Sequence, residues 1–413
     1  MSTTTSTTKT VAIIGTYDTK SESLAYLRDQ LHDRGLGVVA IDAGVYSDGN
    51  GADVTPAEVA AAAGGVLQEL RDAGKRHEAL TVMALGTSRL VDELVSTGAV
   101  HAVIAAGGAG NVEVAARAMR ALPLGLPKVL LTTLAAGSLG GMLRGSDIIV
   151  MNPIVDTAAM NAILRRSLRS AAGALHGLLD AETPVSTSGP RQVYATMFGI
   201  TTPCVARVAS HVERAGAEAV IFHATGAGGE MMEKLIRSEK PVAVLDVTTT
   251  EWADEVVGGV CSAGPTRLTA AGQTGVPQVI VPGAVDAANF SEAETVPEKY
   301  RARVLHQHGS TVTLMRTTAE ENREIARRMV GNLSLSIAPV TVVIPLGGFS
   351  ALDAPGQPFW DPEADAAFVE EIRSVGAGDF RIVTTEHHIN DPEFADVVFA
   401  EYLALSPTPN GAD

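Results

Sequence analysis

The chain has 413 residues, 46% of them hydrophobic and only 4% aromatic, with 41 glycines and a formal net charge of -16. Such a length predicts two domains, and such a composition predicts a core of Ala, Val, Ile and Leu under many tight turns, as in buried parallel sheets flanked by Ala-rich helices. The charge repels nucleic acid and anionic membranes at long range, which excludes both as expected partners and requires any anionic ligand to be held locally by backbone N–H groups, a helix N-terminus, a few basic side chains or a metal ion.

The first half opens with Thr10 to Ile14 (TVAII), a β-branched run stopped by Gly15, then Lys20 to Arg34 with apolar residues at helical spacing (Leu24, Leu27, Leu31). A second run, Val38 to Ile41, ends at Asp42, completing a β-turn-α-β unit whose crossover is right-handed. Further strands are predicted at Ala102 to Ala106, Val129 to Thr132 and Ile148 to Met151, and helices at Val112 to Ala121 and Asp156 to Leu179. The Pro, Ser, Thr and Gly of Ala181 to Pro190 read as a linker, which places the domains at 1–184 and 185–413.

Beyond the linker the pattern restarts. Strands are predicted at Val193 to Phe198, Ala219 to Phe222, Val242 to Leu245, Val279 to Val281, Val312 to Leu314, Val340 to Ile344 and Arg381 to Val383. Helices are predicted at Pro203 to Ala215, Gly228 to Arg237 and Pro392 to Leu403. The fold class is therefore α/β, with two Rossmann-like domains on mostly parallel open sheets, whose ligands sit outside the carboxyl ends of the strands.

Cys204 and Cys261 offer neither a disulfide framework nor a metal-binding CxxC, so a reducing cytoplasm is the expected setting. The N-terminal MSTTTSTTKT lacks an apolar h-region and no apolar run of about 18 residues follows, so neither a signal peptide nor a membrane span is expected. No heptad stands out, and a homo-oligomer rests only on the general frequency of symmetric dimers.

The loop from Gly15 to Lys20 follows the first strand. Gly15 allows a sharp turn, Thr16 and Thr19 can donate to phosphate, Lys20 can reach an anion, and Asp18 can accept from a ribose hydroxyl or help hold Mg2+. The same residues also read as an ordinary turn capped by Asp18 or Thr19. Asp42 stands where an acidic residue commonly meets a ribose, or faces water. Gly107, Gly108 and Gly110 open an Ala-rich helix and let a phosphate approach its N-terminus, or serve only to pack strand on helix. Gly86-Thr87-Ser88 reads as a weaker loop on the same rim.

In the second half, His223 ends a strand before a glycine turn, His306 and His308 lie in LHQHGS, and His387 and His388 in EHHIND. With Asp246, Asp286, Glu386 and Asp391 near other strand ends, His223, His306, His308 and His388 are candidates for acid–base catalysis or metal ligation, although their separations show no metal-ligand spacing. Ser262 and Ser350 sit outside any GxSxG elbow. Pro345 to Phe359 reads as a long loop, a lid or a surface coil.

The strings GTYDTK, IDAGV, GGAGN, FHATGAGGEMME, VPGAVDAANF, VTLMRTTAEEN, PLGGFSALDAPGQPF and HHINDPEFA follow one another along nearly the whole chain. In that order they resemble the UPF0261 family, which is similar to the N-terminal ATP-binding region of the tomato Tm-1 protein. The resemblance implies ATP bound in the first domain, through Gly15, Thr16, Asp18, Thr19 and Lys20, Asp42, and Gly107, Gly108 and Gly110. This chain carries Asn111 and Val112 where the family usually has glycine and threonine, and TTLAAGS from Thr132 to Ser138 where a segment resembling STxASGD is expected. Three functions stay open: an ATP-binding protein acting on a small carboxylate or carbonyl compound in an interdomain cleft, a nucleotide-independent lyase or hydrolase using the second-half histidines, and a non-enzymatic nucleotide sensor.

Overall fold

The computed structural model describes residues 8–134, 136–157, 159–181, 191–376 and 378–405, so most of the linker at Ala181 to Pro190 and the first seven residues lie outside the described residues. The chain divides into two units, residues 1–185 and 186–413.

In the first unit the small apolar runs become five strands, β1 (Thr10–Gly15), β2 (Gly37–Asp42), β3 (Ala102–Gly107), β4 (Lys128–Thr132) and β5 (Ile149–Met151). They form one parallel sheet in the order β2-β1-β3-β4-β5. Side chains alternate across a strand, so β1 feeds two cores. Val11 and Ile13 meet Leu24, Leu27 and Leu31 of the Tyr17–His32 helix and Leu164 and Leu168 of the Ala162–Asp180 helix. Ala12 and Ile14 point the other way, to Met83 and Val91 of the Arg76–Ser96 helix and Val112 and Met119 of the Ala109–Ala121 helix.

The second unit carries β6 (Gln192–Met197), β7 (Glu218–His223), β8 (Ala243–Thr248), β9 (Gln278–Gly283), β10 (Ala287–Phe290), β11 (Leu305–Gln307), β12 (Thr313–Arg316), β13 (Val340–Pro345) and β14 (Arg381–Thr385). Six of these make a parallel sheet in the order β14-β13-β9-β8-β6-β7. The other three form an antiparallel sheet in the order β10-β12-β11. The chain is therefore α/β with two Rossmann-like domains on largely parallel sheets.

Several local expectations are corrected. Gly86-Thr87-Ser88 is not a rim loop but the interior of the Arg76–Ser96 helix. There Gly86 runs so close to the backbone carbonyl of Val59 that a Cβ would fall well inside van der Waals contact. Packing against the Pro56–Ala62 helix thus overrides the loop-like composition. The Val312 to Leu314 run joins the antiparallel sheet rather than the parallel one, and the helix expected from Asp156 begins at Ala162, after its Asn161 cap. Pro345 to Phe359 is only partly surface coil: Phe349, Ser350, Asp353 and Phe359 are buried and the Ala351 N–H donates to the Ile200 carbonyl at 2.9 Å, whereas residues 355–358 are exposed. Among the described residues no helix is long and apolar enough to cross a membrane.

Candidate functional site

The first sheet changes direction between β1 and β3, and in sheets of order 2-1-3-4-5 that point is where ligands enter. A cleft of about 370 Å³ opens there. Its walls are Thr16, Asp18, Thr19 and Lys20 after β1, Ala43, Gly44, Val45 and Tyr46 after β2, and Gly108, Ala109, Gly110 and Asn111 after β3. Arg76, Ala79 and Leu80 contribute from the Arg76–Ser96 helix.

Asp42 does not line this cleft; it lies fully buried beneath it. Its Oδ1 accepts from the N–H groups of Gly44 at 2.8 Å and Tyr17 at 3.2 Å, tying the β2 loop to the first turn after β1. Burial pushes its carboxyl above the usual carboxylate range, against the lowering pull of Ser47, Gly44 and Tyr17. Gly44 packs tightly at this junction: a Cβ would lie 3.1 Å from both Asp18 Cγ and Asp42 Oδ1, so one of them would have to shift by a few tenths of an ångström. Lys20 sits at a kink in its helix, with Nζ 3.6 Å from the exposed Asp156 carboxylate. The contact is long and its carboxylate is 75% exposed, so water screens it from that side, while the Lys20 side chain itself is 14% exposed and lines the cleft. The hydroxyls of Thr16 and Thr19 are 3.4 Å apart on the same rim.

Across the cleft, the Ala109–Ala121 helix begins after an extended Gly108, and no side chain caps it. Its bonding starts with the Val112 N–H to the Gly108 carbonyl at 3.0 Å. The earlier amides therefore face the cleft with the positive end of the helix dipole. Gly107 is buried behind this turn, and a Cβ there would lie 2.8 Å from that of Asn111. Its part is to make room for Asn111. The Asn111 side chain is 3% exposed and lines the cleft, yet neither Oδ1 nor Nδ2 has a partner. Arg76 lies beside this turn, its Nη2 3.5 Å from where a Cβ on Gly110 would sit. Sequence reasoning missed Arg76 because the helix that carries it was not expected, and Asn111 showed only as a departure from a glycine motif.

In the second unit the histidines are placed separately. His223 ends the edge strand β7 and stacks on Phe198 with ring centroids 5.6 Å apart. His306, in β11 of the antiparallel sheet, and His308 just past it have ring centroids 6.4 Å apart, and the His306 ring makes an edge contact with Phe359. The His388 ring accepts from the Asn390 N–H at Nδ1 (3.1 Å), so Nε2 carries the proton and donates to the Ser350 carbonyl at 2.8 Å. Among the described residues no hydrogen bond or ring contact links His223 or His388 to the His306–His308 pair, and no group of three or more His, Cys, Asp or Glu is placed to hold a metal ion.

The glycine turn after β7 looks like the first-unit loop in sequence but is filled from within. Glu251 Oε1 accepts from the N–H groups of Gly226 at 2.6 Å and Gly229 at 3.2 Å. Gly229 has no room for a Cβ against that carboxylate. Glu251 is in turn held by the buried Arg267, whose guanidinium also bonds Asp246 at 2.6 and 2.7 Å and Glu233 at 3.3 Å. The anion at this helix terminus is thus the protein's own.

The N-terminal domain description of the uncharacterised protein family UPF0261 matches residues 9–184, and its C-terminal domain description matches residues 191–406. A UPF0261 protein of Clostridium tetani is 41% identical over 389 residues, covering 94% of this chain and 96% of its own. A Mesorhizobium japonicum UPF0261 protein is 39% identical over 394 residues, with 95% and 98% covered. The tomato (Solanum lycopersicum) ToMV resistance protein Tm-1 is 38% identical over 312 residues, which is 74% of this chain but 41% of that longer protein. Among solved structures, a UDP-N-acetylglucosamine 2-epimerase from Rickettsia bellii covers 97% of this chain and 96% of its own at 11% identity, but its TM-score of 0.23 is too low to bear on function.

Proposed function

The chain belongs to the UPF0261 family, and from that premise we propose that its first unit binds a nucleotide, ATP, in the cleft between the loops that follow β1, β2 and β3. One observation carries the reading: an uncapped helix N-terminus, reached through Gly108 and Gly110, faces Lys20 and the Thr16 and Thr19 hydroxyls across a cleft of about 370 Å³. An anion is the ligand that satisfies such a terminus, and the volume lies within the range of small-ligand sites, about 300–1,000 Å³. Ala43, Val45, Ala79, Leu80 and the exposed Tyr46 ring give the same cleft an apolar wall suited to a planar base. The choice of ATP over other nucleotides rests on the resemblance carried by GTYDTK and GGAGN.

In this reading Thr16, Thr19, Lys20 and the Gly108–Asn111 turn meet the phosphates, and Asp18 faces a magnesium ion brought with them. Asp42 and Gly107 act from below, as positioning residues for the loop and for Asn111. Hydrogen exchange of the full chain with and without ATP and Mg2+ tests the location. Protection is expected in peptides covering 15–20 and 108–112; protection confined to the second unit would refute it.

A further inference from the structure

Asn111 and Arg76 both line the cleft without a hydrogen-bond partner among the described residues, Asn111 buried and Arg76 exposed. A buried carboxamide normally uses both its donor and its acceptor, because burying either unpaired forfeits hydrogen bonds to water. Asn111 is 3% exposed with both unused, and it opens onto the cleft. Arg76 makes no hydrogen bond or ion pair among the described residues, although its guanidinium stands beside Gly110 at the positive end of the Ala109–Ala121 helix. A cation held against a positive dipole end is unfavourable unless an anion lies between them.

Resting on the nucleotide reading above, we propose that Arg76 and Asn111 form the polyphosphate end of the site and make it select a nucleoside triphosphate over the corresponding monophosphate. A polyphosphate satisfies the donor of Asn111. Its non-bridging oxygens would accept from Nδ2, leaving Oδ1 to accept from water or a hydroxyl of the ligand. Arg76 supplies forked donors beside Gly110, a geometry suited to phosphate. Gly107 then leaves room for the Asn111 side chain, since a Cβ there would lie 2.8 Å from that of Asn111.

The test is calorimetric titration of the full chain with ATP and with AMP, each with Mg2+, in the wild type, Arg76→Ala and Asn111→Leu. The wild type is expected to bind ATP at least about tenfold more tightly than AMP, as one charge-assisted hydrogen bond suffices to give. Each variant should lose about tenfold or more in ATP affinity while AMP changes by less than about twofold, so that the ratio collapses. Arg76 is exposed, so its variant remains informative if Asn111→Leu folds poorly. Wild-type binding of ATP with an unchanged ATP-to-AMP ratio in Arg76→Ala, or equal losses for both nucleotides, overturns this assignment and leaves the nucleotide reading standing. A wild type that binds neither nucleotide overturns both.

Discussion

Replacing Asp353 by asparagine should make the second unit more resistant to rising pH. Asp353 shares a buried pocket with Asp286, Asp365 and the Arg316 guanidinium, whose Nη2 is 2.6 Å from Asp365 and 3.8 Å from Asp353. One cation cannot balance three carboxylates. Burial, reinforced by neighbouring carboxylates, pushes Asp286 and Asp353 from 3.8 up to about 7 and Asp365 up to about 6, even though Arg316 pulls the other way. The folded protein therefore retains a proton that the unfolded chain releases. The stabilisation from that proton is complete below pH 3.8, declines as pH rises, and is gone above about 7. Between pH 4.5 and 8 the rise at Asp353 alone corresponds to a loss of about 3 kcal/mol.

Asparagine mimics the protonated acid at every pH: its Oδ1 accepts from the Phe349 N–H that Asp353 holds at 2.8 Å, and its Nδ2 donates toward Asp365. Urea unfolding followed by tryptophan fluorescence reads this unit alone, because both tryptophans, Trp252 and Trp360, lie in it. The stability of Asp353→Asn relative to wild type should rise by about 3 kcal/mol from pH 4.5 to pH 8. A difference that stays constant to within about 0.5 kcal/mol across that range would refute the retained proton.

Other expectations concern packing and buried charge. Arg267→Met leaves Asp246, Glu251 and Glu233 without their common cation, and should destabilise the second unit by about 3–5 kcal/mol in the same fluorescence assay. Glycine-to-alanine changes should differ in sign within the first unit. Gly86→Ala collides with the Val59 carbonyl and should cost about 1–3 kcal/mol or more, whereas Gly177→Ala, in a helix with open space around it, should gain about 0.5–1 kcal/mol. Thermal melts by far-ultraviolet circular dichroism distinguish the two.

Strands were legible in the sequence because parallel sheets buried on both faces read as continuous apolar runs, as TVAII and AVIAA do. The loops after β1 and β3 were legible for the related reason that a glycine must stop such a run where the chain turns. Their meeting in one cleft with the β2 loop follows from strand order, which the βαβ handedness rule constrains. What could not be read depends on contacts distant along the chain. Nothing near Gly86 announces that Val59 lies against it. Asp42 was expected to face a ligand, but the direction of its side chain is fixed by the Tyr17 and Gly44 amides. The glycine turn at Gly226 gives no local sign that Glu251, many residues later, will occupy its N–H groups. Arg76 was hidden because its helix has no side-chain cap and carries glycine and threonine in its middle.

Nucleotide binding by the first unit is decided by isothermal titration of the full chain with ATP and Mg2+, repeated on Lys20→Ala. Saturable binding at one site per chain, weakened about tenfold or more in the variant, is the expected result. No binding by the wild type, or binding that Lys20→Ala leaves untouched while a second-unit change such as His223→Ala abolishes it, would contradict the account.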